Sequence, residues 1–346
     1  MKVKNILLTL ILSFTLISCS STKKNEIKTQ QPVKIIFDTD FGSAADDLGA
    51  LIMLNHLQNQ GECTILGIMS YFEENSVIAA IDAVNTFYGN DDIPIAIKSR
   101  NYYEDTTHYN KIIADQFPHD ITNADVPLAV EAYRKILSEQ EDHSVVLLAV
   151  APLGNIKDLI DSKPDKYSKL TGKELLNTKV KFISDMGGEY PEGKQEWNFS
   201  GNAPGVTKYV LANIDIPIIF SGAEIGDKIK IGNEFNEIDH HTPLYQGFYY
   251  CSSHAPWIKD KFQGKILDMS TYDETSVSFA IHGDNDKYWT RNSGGIFEVQ
   301  DNGDCKWIKK EPSNQSYLSM TPQQRENARK YILDLMVKNL KKETTH

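Results

Sequence analysis

The amino-acid sequence predicts an α/β fold, a mostly parallel open sheet with helices on both faces, followed by a small C-terminal β-hairpin and a terminal helix. Three observations predict it. Short apolar, β-rich runs alternate with segments of helical period along most of the chain. One such run, residues 145–151 (VVLLAVA), is apolar throughout, as a strand covered on both faces must be. The first run also passes into its helix through a short acidic loop, giving the strand–loop–helix unit from which parallel sheets are built.

The elements follow in order. Residues 33–37 (VKIIF) form a strand that ends at Asp38. Asp46 and Asp47 then open a helix whose apolar face is Leu48, Leu51, Ile52, Leu54 and Leu57. Residues 63–69 are a strand, 76–88 a helix, 93–97 a strand and 127–138 a helix. After the strand at 145–151 a short helix starts near Asn155, and strands follow at 179–186 and 216–222. Residues 296–299 and 306–308 flank Asn302-Gly303, a hairpin signal. Thr321-Pro322 with Gln324 is a strong helix start, and that helix runs to about Leu340.

The ends and the charge narrow the biology. Lys2 and Lys4 precede an apolar run at 6–17, which is of signal-peptide length and short for a bilayer span. Leu16-Ile17-Ser18-Cys19 resembles a lipobox, so residues 1–18 read as a lipoprotein signal peptide and Cys19 as the lipidated residue. Lipid on Cys19 would tether an exported bacterial protein to a membrane, facing the periplasm or the cell exterior. Residues 19–32 are polar and aperiodic and read as a flexible tether, leaving 33–346 as the folded domain. The formal charge is −11, and loss of Lys2 and Lys4 with no acid takes it to −13. Such a chain repels phosphate backbones, which argues against nucleic acid as a partner. Cys63, Cys251 and Cys305 cannot all pair and form no CxxC, so neither a disulfide framework nor a zinc site is expected.

The chemistry concentrates in Asp38-Thr39-Asp40-Phe41-Gly42-Ser43-Ala44-Ala45-Asp46-Asp47. In an open α/β sheet, ligands sit beyond the carboxyl ends of the strands. Four carboxylates gathered there repel one another and call for a compensating hard cation. The plainer alternative is a set of helix caps and exposed turn acids.

This loop resembles the D-T-D-x-G…D-D signature of the inosine-uridine-preferring nucleoside hydrolases, in a branch that includes nucleoside hydrolase-like bacterial lipoproteins. Ala151-Pro152-Leu153-Gly154-Asn155, Met186-Gly187-Gly188, Glu196-Trp197-Asn198 and Tyr272-Asp273 are similar to further family motifs in the same order. The resemblance spans roughly residues 33–340. It implies a Ca²⁺-dependent hydrolysis of an N-glycosidic bond in a nucleoside or related ribosyl compound. Carried over by position, Asp40, Asp47, the Gly154 carbonyl and Asp273 would ligate Ca²⁺. Asp40 would also act as general base toward the attacking water. Asp46, Glu196 and Asn198 would hold ribose hydroxyls, Trp197 and Tyr272 would face the substrate, and Asp38 would support the loop by hydrogen bonding. Trp197 and Tyr272 read equally well as core aromatics. Relatives of this kind are often homo-oligomers, an assembly the resemblance leaves open.

The sequence also departs from the family. Three residues separate Gly42 from Asp46 where the main family has one, and Ala44 stands where the related branch has an acid. Tyr272 replaces a histidine that assists the leaving base in some relatives, and an unperturbed phenol is a poor acid near neutral pH. Gly193-Lys194 lies where an asparagine is usual. These changes keep two further readings open: a sugar- or nucleoside-binding lipoprotein with weak or no turnover, and a hydrolase of a different glycoside. The segments expected to meet the leaving group, roughly 71–76, 98–110 and 240–260, carry no readable pattern.

Overall fold

A computed structural model describes residues 31–201 and 203–340. The expected signal peptide, Cys19 and nearly all of the expected tether lie outside the described residues. The strands, in chain order, are β1 (Val33–Thr39), β2 (Cys63–Ser70), β3 (Ile95–Ile97), β4 (Val145–Ala149), β5 (Val180–Met186), β6 (Glu192–Gly193) and β7 (Ile218–Ser221). They continue with β8 (Lys230–Ile231), β9 (Met269–Ser270), β10 (Thr290–Asn292), β11 (Gly295–Val299), β12 (Cys305–Lys309) and β13 (Gln315–Ser319). Eight of them form one sheet in the order β10-β13-β7-β5-β4-β1-β2-β3. Every neighbouring pair in it is parallel except β10 with β13 at the edge.

The helices are α1 (Asp46–Asn59), α2 (Val77–Phe87), α3 (Asn110–Gln116), α4 (Ala129–Ser138), α5 (Gly154–Asp161) and α6 (Gly172–Lys179). After them come α7 (Trp197–Ser200), α8 (Val206–Leu211), α9 (Ala223–Gly226), α10 (Pro243–His254), α11 (Tyr272–His282) and α12 (Pro322–Met336). Side chains alternate across each strand, so the central strands feed two separate cores. Ile35, Phe37, Val146 and Leu148 join the layer of α1, α2, α10, α11 and α12. Ile36, Val145, Leu147 and Ala149 join the layer of α4, α5, α6 and α8. This two-sided burial is why β4 reads as a continuous apolar run.

The expected hairpin is present as β11 paired with β12, and its turn passes through Asn302 and Gly303, where φ is +88°. The start of α12 is also as expected. Thr321 and Gln324 form a reciprocal capping box with Pro322 in the first turn, although the helix ends at Met336 rather than near Leu340. Several elements have no counterpart in the sequence reading, and three of them bear on the site or the main sheet. β13 joins the main sheet parallel to β7, α10 begins at a Thr242 cap followed by Pro243, and α11 runs through the interior. Cys63, Cys251 and Cys305 are all free and buried. No helix among the described residues is long and apolar enough to cross a membrane.

The topology places the site. From β1 the chain builds outward through β2 and β3, then returns to lay β4 on the other side of β1. The order therefore reverses between β1 and β4, and such a switch point opens a crevice at the strands' carboxyl ends. β1 leads there into the acidic loop, and β4 leads there into Val150.

Candidate active site

A cavity of about 540 Å³ occupies that crevice. The acidic loop lines it with Asp40, Ser43, Ala44, Asp46 and Asp47, the end of β4 with Val150, and the end of β5 with Met186. Glu196, Trp197 and Asn198 enter from the start of α7, and Tyr272 and Asp273 from the start of α11. Five carboxylates line this space, and no lysine or arginine does.

The loop is shaped by sequence-specific contacts. Gly42 has φ +131°, and a Cβ there would overlap the buried Asn110 side chain. The Gly42 amide donates to the Tyr109 hydroxyl at 3.2 Å, and Tyr109 packs edge-on against Phe41. Asp46 and Asp47 occupy the first turn of α1, where the helix dipole favours acids, and the Thr39 hydroxyl donates to Asp47.

Oxygens of Asp46, Asp47 and Asp273 lie within 4.8 Å of one another, and all three residues are buried. Burial pushes Asp46 up to about 7, with repulsion from Asp40 adding to it. Asp47 and Asp273 are pushed well above the usual carboxylate range, again by burial first and then by neighbouring carboxylates. Glu274 lies behind them, fully buried, and neither of its oxygens has a hydrogen-bond partner among the described residues. Like charges held this close in a buried place are relieved by protons or by a cation, and an all-oxygen donor set fits a hard divalent ion. The close trio thus contains Asp46, which the sequence reading gave to the sugar, whereas Asp40 lines the same cavity outside the trio.

Asp40 is held from the other side. The Trp197 indole nitrogen donates to Asp40 Oδ2 at 2.7 Å. Burial raises the Asp40 carboxyl to about 6, and this hydrogen bond opposes the rise. Asn198 donates through Nδ2 to the carbonyls of Val150 at 3.1 Å and Met186 at 3.0 Å. Its Oδ1 is buried without a partner among the described residues, so it can accept from a ligand.

Other expected residues are placed differently. Gly154 does not line the cavity. It opens α5, and a Cβ on it would meet Lys98 and Tyr71; the β4 end reaches the cavity four residues earlier, at Val150. Asp38 also lies outside the lining. It is buried and accepts from the Tyr133 hydroxyl at 2.5 Å and from Asn155 Nδ2 at 3.0 Å. It therefore ties the end of β1 to α4 and α5 rather than bracing the acidic loop with its side chain. Glu196 caps α7, accepting from the amides of Gly188 at 2.9 Å, Asn198 at 3.0 Å and Phe199 at 3.1 Å. Burial still lifts Glu196 to about 7 despite those three donors. The Tyr272 ring lines the cavity, but its hydroxyl donates to Asp227 at 2.5 Å, and burial raises the phenol above its ordinary value.

Sequence reasoning missed Trp257. It stands at the cavity rim, 59 % exposed, in the unreadable stretch after α10. A single tryptophan outside any periodic segment gives no signal of such a place.

Comparison with known proteins agrees with this geometry. The family model described as inosine-uridine preferring nucleoside hydrolase matches residues 35–304. Comparison with curated proteins gives no significant sequence match. Among solved structures, an inosine-guanosine nucleoside hydrolase is similar at TM-score 0.58 and 18 % identity, over 88 % of this chain and 98 % of its own. The type III effector protein XopQ, complexed with adenosine diphosphate ribose, is similar at TM-score 0.60 and 14 % identity, over 89 % and 94 %. The effector protein XOO4466 is similar at 0.61 and 14 %, over 89 % and 93 %. Identities this low carry the fold, and the family match spans most of the chain. The protein thus belongs to the inosine-uridine preferring nucleoside hydrolase family and is an N-glycosyl hydrolase.

Proposed function

We propose that this protein hydrolyses the N-glycosidic bond of a nucleoside or related ribosyl compound in a Ca²⁺-dependent reaction, outside the cytoplasm and tethered through lipid on Cys19. The observation that carries the reading is the convergence of Asp46, Asp47 and Asp273 beside Asp40 in a cavity without a basic side chain. The structurally similar XopQ is complexed with adenosine diphosphate ribose, which supports a ribosyl ligand for this protein.

Asp47 and Asp273 would hold the cation, with Asp40 and Asp46 at its edge. Bound there, Ca²⁺ would neutralise the carboxylates, grip vicinal hydroxyls and acidify a water. The Val150 carbonyl replaces that of Gly154 as the main-chain donor in this proposal, because Val150 lines the cavity. Asn198 Oδ1 would accept from a sugar hydroxyl, and Asp46 would share that task. As the C–N bond breaks, positive charge builds on the anomeric carbon, and the surrounding carboxylates stabilise it. The water oxygen bonds to that carbon and Asp40 takes the proton. Burial raises the Asp40 carboxyl, which makes it a stronger proton acceptor than an exposed aspartate.

The test is incubation of the purified protein with a nucleoside panel, with Ca²⁺ or with a chelator. Release of reducing sugar with Ca²⁺, lost in Asp40→Asn, supports the reading. No release with the metal bound, together with sugar binding that Asp40→Asn leaves intact, overturns it in favour of a binding protein. Membrane retention that disappears in Cys19→Ala tests the tether.

A further inference from the structure

A second cavity, of about 290 Å³, opens beside the sugar-sized one and shares Ala44, Asp46, Trp257 and Tyr272 with it. Its charge character differs. The first cavity has no basic residue, whereas the second is lined by Lys230 and Lys261. Lys230 sits on β8, paired with Ser270 of β9, and Lys261 ends the short 3-10 turn Lys259–Lys261, and both are exposed residues. Among the described residues Lys230 Nζ donates only to the neutral Ser270 hydroxyl, at 3.0 Å. Lys261 makes no ion pair or side-chain hydrogen bond among the described residues.

The aspartates of the same wall are engaged elsewhere. Asp227 accepts from the Tyr272 hydroxyl at 2.5 Å and from Ser270 at 3.3 Å. Asp268 accepts from the Asn233 amide at 2.9 Å and from Asn233 Nδ2 at 2.7 Å. Two ammonium groups therefore keep hydrogens for a ligand, while the nearby carboxylates are already bonded to neutral donors of the protein. Ala44 lies on the shared wall beside Asp46, the one carboxylate that faces both cavities and that the proposed cation would neutralise.

We infer that this chamber receives an anionic substituent, a carboxylate or a phosphate, on the group that leaves the ribose. The inference rests on the proposed ribosyl site and extends it. Trp257 and Tyr272 line both cavities, so a leaving group lying against them is directed toward the lysines. Ammonium groups recognise such a substituent by charge and by hydrogen bonding. In the reaction the C–N electron pair stays on the departing nitrogen and the charged substituent keeps its place.

The test compares nicotinic acid riboside with nicotinamide riboside, which differ in one carboxylate. Binding to the Ca²⁺-loaded, full-length Asp40→Asn protein is measured by calorimetry, and turnover by the unaltered protein follows. The carboxylate compound is expected to bind about tenfold more tightly, with the ratio falling to about one in Lys230→Ala/Lys261→Ala and recovering in Lys230→Arg/Lys261→Arg. Equal affinity, or preference for the amide, overturns the chamber whether or not either riboside is cleaved. A retained carboxylate preference with no cleavage supports the chamber and counts against the hydrolase reading alone. Inorganic phosphate and acetate are the competitors that separate the two sources. Displacement chiefly by phosphate supports the phosphate form, chiefly by acetate the carboxylate form, and displacement by neither overturns the proposal.

Discussion

The indole of Trp197 and the carboxylate of Asp40 meet across 157 residues of sequence, in a hydrogen bond of 2.7 Å. The bond joins the end of β1 to the start of α7 and holds down the basicity of a carboxyl that burial raises. Its consequence is a pH effect of known sign. Trp197→Phe keeps an aromatic ring and removes the donor, so the Asp40 pKa rises above about 6. The acid limb of kcat/KM should move to higher pH by about one unit, with rates converging well above neutrality. A pH–rate profile of the two proteins checks it, and an unmoved limb assigns the indole to packing alone.

Metal-free protein should lose stability as pH rises. Asp38 and Asp46 are raised to about 7 and Asp40 to about 6, all mainly by burial. Groups whose folded pKa lies above the unfolded one favour folding most below the unfolded value, near 4, and that contribution disappears as pH climbs through 7. Ca²⁺ competes with those protons and replaces the lost stabilisation. The rise in Tm on adding Ca²⁺ should therefore be larger at pH 8 than at pH 5, and a site saturated a hundredfold above Kd contributes about 2.7 kcal/mol. Thermal melts with Ca²⁺ or a chelator at both pH values measure it.

Asp273→Asn separates metal binding from folding. It removes one member of the buried trio and relieves its repulsion. The metal-free form should be as stable as the parent or more so, while the Ca²⁺-dependent rise in Tm shrinks sharply and activity falls at least about a hundredfold. Melting curves and sugar release give both readings from one preparation.

Tyr133→Phe should destabilise the protein by about 1–3 kcal/mol, because it strips one of two side-chain donors from a buried carboxylate. Urea unfolding reports the loss. Because Asp38 ties β1 to the α4–α5 layer, the cost should exceed that of removing an exposed tyrosine hydroxyl.

Gly42→Ala faces two penalties, the backbone at φ +131° and the overlap with Asn110. It should cost about 1–3 kcal/mol and weaken Ca²⁺ binding, with Asn110→Ala restoring only part, since the backbone strain remains. Calorimetric Ca²⁺ titration of the single and double variants separates the two penalties.

Much of this was legible in residues close together in the chain. The strand–acidic loop–helix unit, the apolar β4, the Asn302-Gly303 turn and the Thr321 capping box all depend on local patterns. Thr242-Pro243 carries the same kind of start signal as Thr321-Pro322 and could have revealed α10. α11 could not be read this way. It is buried on nearly all sides and built of small polar residues such as Thr275, Ser276 and Ser278, so no apolar stripe marks it. β13 is short and half polar, and its membership of the main sheet depends on pairing with β7, nearly a hundred positions earlier.

The sequence by itself determined the fold class and the cluster of aspartates after β1, because both follow from local period and composition. It also determined that Asp47, Asp273, Asn198 and Trp197 belong to one set of motifs. Only the tertiary structure decided how the residues of these motifs divide. Asp46 joins the close trio, Asp40 turns to Trp197, Asp38 is drawn to Tyr133 and Asn155, and Val150 rather than Gly154 reaches the cavity. The physical reason is the same throughout. A motif names which side chains are near, but the direction of each one depends on the strand end and helix turn that carry it and on the distant partners that meet it.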